Sequence, residues 1–347
     1  MKHRLFITFI SLTIFSPLIL GAKRTQKHNL PIEKIVIWGH KLHTHTHSYI
    51  HWGFFKAFKY LGYQTYWFDK NDILDKFNFS QSLFITAGNC DHGIPLREDC
   101  FYILHYCDFS KYEHLFKKGR CIDLKVYWHY FKNKEATFID DFTFYNLDEN
   151  YICMPWATDL LPYEIDEIKK QMPFVKKPYA YFIGSPHSGT NSTKKIFEEF
   201  QKACLENNIQ FKITGLYSTN SQISNDEHMK LIQNSLLAPA LQGQLQIDLG
   251  YIPCRIFKNI SYGQLGITNS KTVYEFFNKK IVYNPGAYQL CYDALKRLKT
   301  ISLAELHETM DFVKEKHTYL NRIDTLLSFL ELVYNNYKKK NTKIIFP

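Results

Sequence analysis

Between residues 34 and 283 the chain alternates short apolar runs with longer stretches in which apolar residues return every three or four positions. The first run, 34–39 (KIVIWG), is β-branched and apolar, which suits a buried parallel strand. A polar loop, 40–47, leads to Ser48 as a helix N-cap. Ile50, Phe54, Ala57, Phe58 and Leu61 then recur at helical spacing until Gly62 ends the helix. Residues 64–68 and 83–87 read as the next strands, and 100–107, 125–130 and 151–156 supply further strand-like runs. Pro162, Pro173 and Pro178 mark 159–178 as a connection with a charged, helix-like stretch inside it. The alternation then resumes. Strands are predicted at 179–183, 211–214, 236–241, 266–269 and 280–283, with helices at 193–205, 224–233, 253–262 and 272–278. Ser224/Glu227 and, in a helical tail, Ser302/Glu305 form capping boxes. The pattern predicts an α/β chain of two βαβ-type halves, residues 31–160 and 179–335.

The 347 residues suffice for two cores. Only the N-terminus breaks the pattern. Lys2 and Arg4 precede an apolar run from Leu5 to Leu20, followed by Gly21, Ala22, Lys23 and Arg24. Residues 1–24 read as a signal peptide or a short anchor, which places the protein at a membrane or outside it. Cleavage would use Gly21 or Ala22. Uncleaved, the cations at 23, 24, 27 and 34 would hold the body on the cytoplasmic side, so the side stays open.

The formal charge of +10 invites an anionic partner. The charge is spread along the chain and forms no dense Lys/Arg stripe, so no nucleic-acid partner is expected. The eight cysteines show no CxxC spacing, and a zinc ribbon or thioredoxin-type site is unsupported. DxD, GxSxG and kinase signatures are absent as well.

Ligands of open parallel sheets bind beyond the carboxyl ends of the strands, near helix N-termini. Three segments sit there. In 250–263, Pro253 suits the first helical position and Gly263 the C′ position. Arg255 then falls in the first turn, where the helix dipole disfavours a cation unless an anion joins it. A diphosphate clamp or a local carboxylate such as Asp248 would each satisfy it. In 184–189, Gly184 and Ser185 let backbone approach a phosphate, although an ordinary strand-to-helix turn fits too. The third segment carries His43, His45 and His47, with His40 and His51 flanking. His45 or His47 is a candidate general base; a metal site and a plain polar loop are the rivals.

Arg255-Ile-Phe-Lys-Asn-Ile-Ser-Tyr-Gly263 followed by Leu265-Gly-Ile-Thr-Asn269 resembles the donor-site segment of GT-B glycosyltransferases of the group-1-like, spore-maturation type. Glu275-Phe-Phe-Asn-Lys-Lys-Ile-Val-Tyr283 is similar to the helix and strand that follow, and His317-Thr-Tyr-Leu-Asn-Arg322 to that family's His-Thr-Tyr-x-x-Arg element. The likeness covers 179–330. It implies two facing Rossmann-like domains, a nucleotide-sugar held mainly by the second, a glycan, lipid or protein acceptor held by the first, hexosyl transfer, and no metal or other cofactor. On a glycosyltransferase reading the donor contacts are Gly184, Ser185, Arg255, Lys258, Asn269, Ser270 and Glu275. Lys258 departs from the family, which commonly has Glu there, so either the donor differs or activity has been lost. An exported two-lobed solute- or zinc-binding protein is the reading from another class, and a catalytically inactive sugar-binding module a third.

Overall fold

The computed structural model describes residues 28–41, 46–88, 90–132, 135–184, 191–214 and 224–342. The leader-like residues 1–24, His43, His45 and Ser185 therefore lie outside the described residues. Among those described, no helix is long and apolar enough to cross a membrane.

The first half is one sheet. Its strands are β1 (Lys34–Trp38), β2 (Gln64–Phe68), β3 (Ser82–Ala87), β4 (Phe101–His105), β5 (Cys121–Lys125), β6 (Thr137–Asp140), β7 (Thr143–Asn146) and β8 (Tyr151–Cys153). They lie in the order β2-β1-β3-β4-β5-β8-β7-β6. Pairing is parallel from β2 to β8, and β7 and β6 add an antiparallel edge. Every residue of β3 and β4 is buried, as strands covered on both faces require. Helix α1 (Thr46–Tyr60) covers one face, and the short α2 (Glu113–Lys117) and α3 (Trp128–Phe131) close the far side.

A connector carrying α4 (Pro162–Gln171) leads to β9 (Lys177–Ile183), β10 (Gln210–Thr214), β11 (Ser235–Leu237), β12 (Ile267–Thr268) and β13 (Val282–Tyr283). These are parallel in the orders β10-β9-β11 and β12-β13, and Ala240 bridges Thr268 to continue the array. Helices α5 (Asn191–Glu206), α6 (Asn225–Asn234), α7 (Gln244–Asp248), α8 (Cys254–Ser261), α9 (Lys271–Phe276), α10 (Ala287–Leu298) and α11 (Leu303–Lys316) surround it. Both capping boxes form, Ser224 with Glu227 and Ser302 with Glu305.

The last helix, α12 (Tyr319–Thr342), returns to the first half. Tyr319, Ile323, Leu326, Leu327, Leu330 and Val333 share the core of α1 and the first sheet. Gly53 on α1 permits the close crossing, since a Cβ there would overlap the Tyr319 ring.

Three local expectations change. The strand expected at 125–130 ends at Lys125, because Trp128–Phe131 turns into α3 and buries Phe131 against Phe144 and Tyr151. The β6–β7 hairpin escapes the pattern because β6 is exposed throughout. Helix α1 begins at Thr46, so Ser48 lies inside it rather than capping it.

Candidate functional site

Helix α8 is set by its sequence. Ile256, Phe257 and Ile260 are fully buried, and Gly263, at φ 88°, takes the left-handed turn that ends the helix. Pro253 stands one residue earlier than expected. Its ψ of 146° makes it the N-cap, and Arg255 becomes the second helical residue. The Arg255 guanidinium reaches to the carboxyl end of β9, donating from Nε to Ile183 O (2.5 Å) and from Nη1 to Leu241 O (3.3 Å). Its Cζ lies 3.9 Å from the centre of the Phe182 ring. Among the described residues no carboxylate pairs with it; Asp248 instead accepts from Gln244 Nε2 (2.8 Å). Burial lowers its pKa.

Lys258, one turn along, is 7% exposed. Its Nζ lies 4.3 Å from the centre of the Tyr49 ring on α1. Burial pulls its pKa down, and the Asp159 charge opposes that. Asp159 in the connector accepts from Tyr49 Oη (2.8 Å) and from Tyr262 Oη (3.1 Å). Helix α8 thus faces both halves: Arg255 towards β9, Lys258 towards α1.

The other expected donor residues fall as follows. Asn269 has both amide atoms on the Gln242 backbone, at 2.9 Å each, which ties β12 to the segment before α7. Ser270 is the N-cap of α9 and accepts from Val273 N. Glu275 lies on the exposed side of α9, 3.8 Å from Lys271. Gly184, at φ 143°, adjoins Arg255.

Across from α8, the carboxyl edge of the first sheet gathers imidazoles. His40 follows β1, His105 ends β4, and His47 and His51 lie on α1. Ring centres are 5.0 Å apart for His40 and His47, 5.6 Å for His40 and His51, and 5.8 Å for His47 and His105. Gly88 makes room, since a Cβ there would overlap the His47 ring. His51 donates from Nδ1 to Gly39 O (2.8 Å) and His105 from Nδ1 to Leu124 O (2.7 Å). Burial lowers their pKa values to about 3 and about 4, so both are neutral. His40 and Tyr106, the residues just past β1 and β4, have φ of 55° and 59°, strain of the kind that collects at ligand sites. Among the described residues, no three His, Cys, Asp or Glu are placed to hold a metal.

The halves meet directly. Tyr127 bridges Tyr251, Trp156 Nε1 donates to Tyr251 Oη (3.1 Å), and His129 Nε2 is 3.2 Å from Thr272 Oγ1. Behind them Arg322 donates to Pro155 O (2.7 Å) and Trp156 O (2.9 Å), and its Nη2 lies 2.9 Å from His317 Nδ1. The 317–322 element therefore clasps the segment between β8 and the connector. The sequence reading missed Tyr49, Asp159, His105 and Tyr262, each unremarkable in its own segment and joined only by the fold. It also missed Asp123 and Lys125, whose signal was visible: two charges in the otherwise apolar run Cys-Ile-Asp-Leu-Lys.

Chemically, the first turn of α8 with Arg255 offers a place for an anion, Lys258 in the last turn of that helix faces α1, and the imidazole edge opposite offers polar ring atoms. No protein-family model matches the chain, and no curated protein matches it in sequence. Solved structures do match in shape. An alpha-glucosyltransferase in complex with UDP aligns over 86% of this chain and 99% of its own, with a TM-score of 0.51 and 10% identity. The alpha-glucosyltransferase with UDP and a 13-mer DNA containing an HMU base covers the same shares at a TM-score of 0.53 and 9% identity. Its counterpart with an A:G mismatch aligns at 0.52 and 8% identity. The likeness establishes architecture: the chain has the GT-B glycosyltransferase fold, two facing Rossmann-like domains with a C-terminal helix.

Proposed function

We propose that the protein is a glycosyltransferase that moves a hexosyl unit from a nucleotide-sugar to a hydroxyl acceptor without a metal. Arg255 carries this reading. A guanidinium fixed by two carbonyls at a helix start, without a carboxylate among the described residues, suits a diphosphate leaving group. Lys258, where the resembling family has Glu, adds a second cation to the same helix. Residues 31–160 would hold the acceptor and 179–335 the donor, with His45 or His47 as base; 1–24 would direct the protein to or across a membrane. The three neighbours bind UDP, which supports a uridine nucleotide as first candidate. Two of them hold DNA, which weighs against the exclusion of nucleic acid drawn from the charge pattern.

The test is calorimetric titration of wild type and Arg255→Ala with UDP and other nucleoside diphosphates. Binding weakened roughly 10- to 200-fold in the mutant, the equivalent of losing a charge-assisted hydrogen bond, supports the clamp. Wild type that binds no nucleoside diphosphate ends the reading.

A further inference from the structure

Strand β5 carries an anomaly. Ile122 and Leu124 point into the large core of the first half, while Cys121, Asp123 and Lys125 face the other side. Asp123 is 7% exposed, and its Oδ2 pairs with Lys125 Nζ. Its Oδ1 is buried and has no hydrogen-bond partner among the described residues. Beside the pair is a cavity of about 240 Å³ walled by Tyr106, Tyr127, Phe109 and Phe131. The Lys125 Nζ lies 4.9 Å from the centre of the Phe109 ring and 5.2 Å from that of Phe131. A purely structural ion pair would use all its polar atoms and pack its surroundings.

The cavity sits beyond the carboxyl ends of two adjacent parallel strands, where such sheets bind ligands. It also borders the seam: Tyr127 and Tyr251 have ring centres 5.9 Å apart, and Arg255 follows Tyr251 by four residues. We propose that this cavity is the acceptor subsite and holds one neutral sugar ring, its hydroxyls on Asp123 and Lys125 and its faces on the aromatic walls. The assignment rests on the glycosyltransferase reading for what the sugar is for. The chemistry of the lining selects it. A free carboxylate oxygen accepts from a hydroxyl, an ammonium donates to one, and tyrosine rings offer an apolar face with a polar tip. The Asp–Lys pair is already neutral, so an added phosphate or cation would leave an uncompensated buried charge.

Saturation-transfer NMR on the full chain tests this with methyl β-glucoside, methyl β-galactoside, methyl α-mannoside and methyl N-acetylglucosaminide, each alone and with UDP. Wild type should bind at least one glycoside. Asp123→Asn should weaken that binding 10-fold or more and leave UDP binding unchanged. Where Asp123→Asn melts early, Lys125→Met carries the same comparison. If UDP binds and none of the glycosides does, or if the variant binds a glycoside as wild type does, the subsite is refuted and the glycosyltransferase reading stands. Inorganic phosphate displacing the glycoside refutes the neutral-ligand assignment. If UDP fails to bind, the wider reading falls, and the glycoside comparison still decides the cavity.

Discussion

Gly184 and Arg255 share one space: a Cβ at residue 184 would overlap Arg255 Nη2 and press on the Phe182 ring that the guanidinium covers. A glycine just past β9 is thus what lets an arginine from α8 reach Ile183 O at the end of that strand.

Gly184→Ala should therefore act as an indirect Arg255 mutation. The added methyl also meets a φ of 143°, which an L-residue rarely adopts. Nucleoside diphosphate affinity should fall by about one to two decades by calorimetry, as for Arg255→Ala. Gly184→Ala binding as tightly as wild type would detach this contact from nucleotide binding. Arg255→Ala should also lower the melting temperature modestly. The helix dipole alone favours losing the cation, but the guanidinium satisfies two carbonyls that the mutation leaves open.

Lys258→Met should separate stability from binding. A buried ammonium without a carboxylate at ion-pair distance among the described residues is expensive, and Met keeps the stem's volume. The melting temperature should rise while diphosphate affinity drops. A lower melting temperature would show that the attraction of Asp159 outweighs the burial.

Arg322→Met should destabilise the joint between the halves. It strands Pro155 O and Trp156 O, a loss of about 2–4 kcal/mol. Arg322→Lys should recover only part of that, because one ammonium does not span the acceptors of a planar fork. Urea denaturation followed by tryptophan fluorescence measures it, and full recovery by Lys would argue for charge alone.

Stability should fall on acidification between pH 6.5 and 4. His51, His105 and His228 are held at about 3, about 4 and about 4, below the unfolded value near 6.5. The unfolded chain binds their protons first, so their contribution is present above 6.5 and lost as pH falls through the folded values. Asp123 opposes them. Burial raises it to about 6, so its contribution is present below about 4 and lost as pH rises through 6. His317, which burial also holds low, acts with the three histidines, and a net acid slope remains. His105→Asn, whose amide can still donate to Leu124 O, should flatten the melting-temperature profile, and Asp123→Asn should steepen it. Unchanged slopes in both would refute the assignment.

Periodicity alone determined most of the elements: the buried runs of β1, β3 and β9, both capping boxes, and the α8 helix from its apolar face and terminal Gly263. These are local properties, decided by spacing and backbone preference within a dozen residues. It also placed Arg255 in a first turn and named the dipole conflict there. Only the tertiary structure decided that Arg255 turns to the carbonyls of Ile183, at the end of β9, and Leu241 rather than to Asp248, because the choice depends on which backbone lies beside α8. Asn269, expected at the donor, spends its amide on Gln242, and Glu275 turns outward, since helix rotation is set by what α9 packs against. The same holds for α12, whose stripe reads as amphipathic but carries no sign of which half it covers. Asp159, Tyr49 and Tyr262 are more than a hundred residues apart at the extremes, and long-range packing alone brings them within hydrogen-bonding distance.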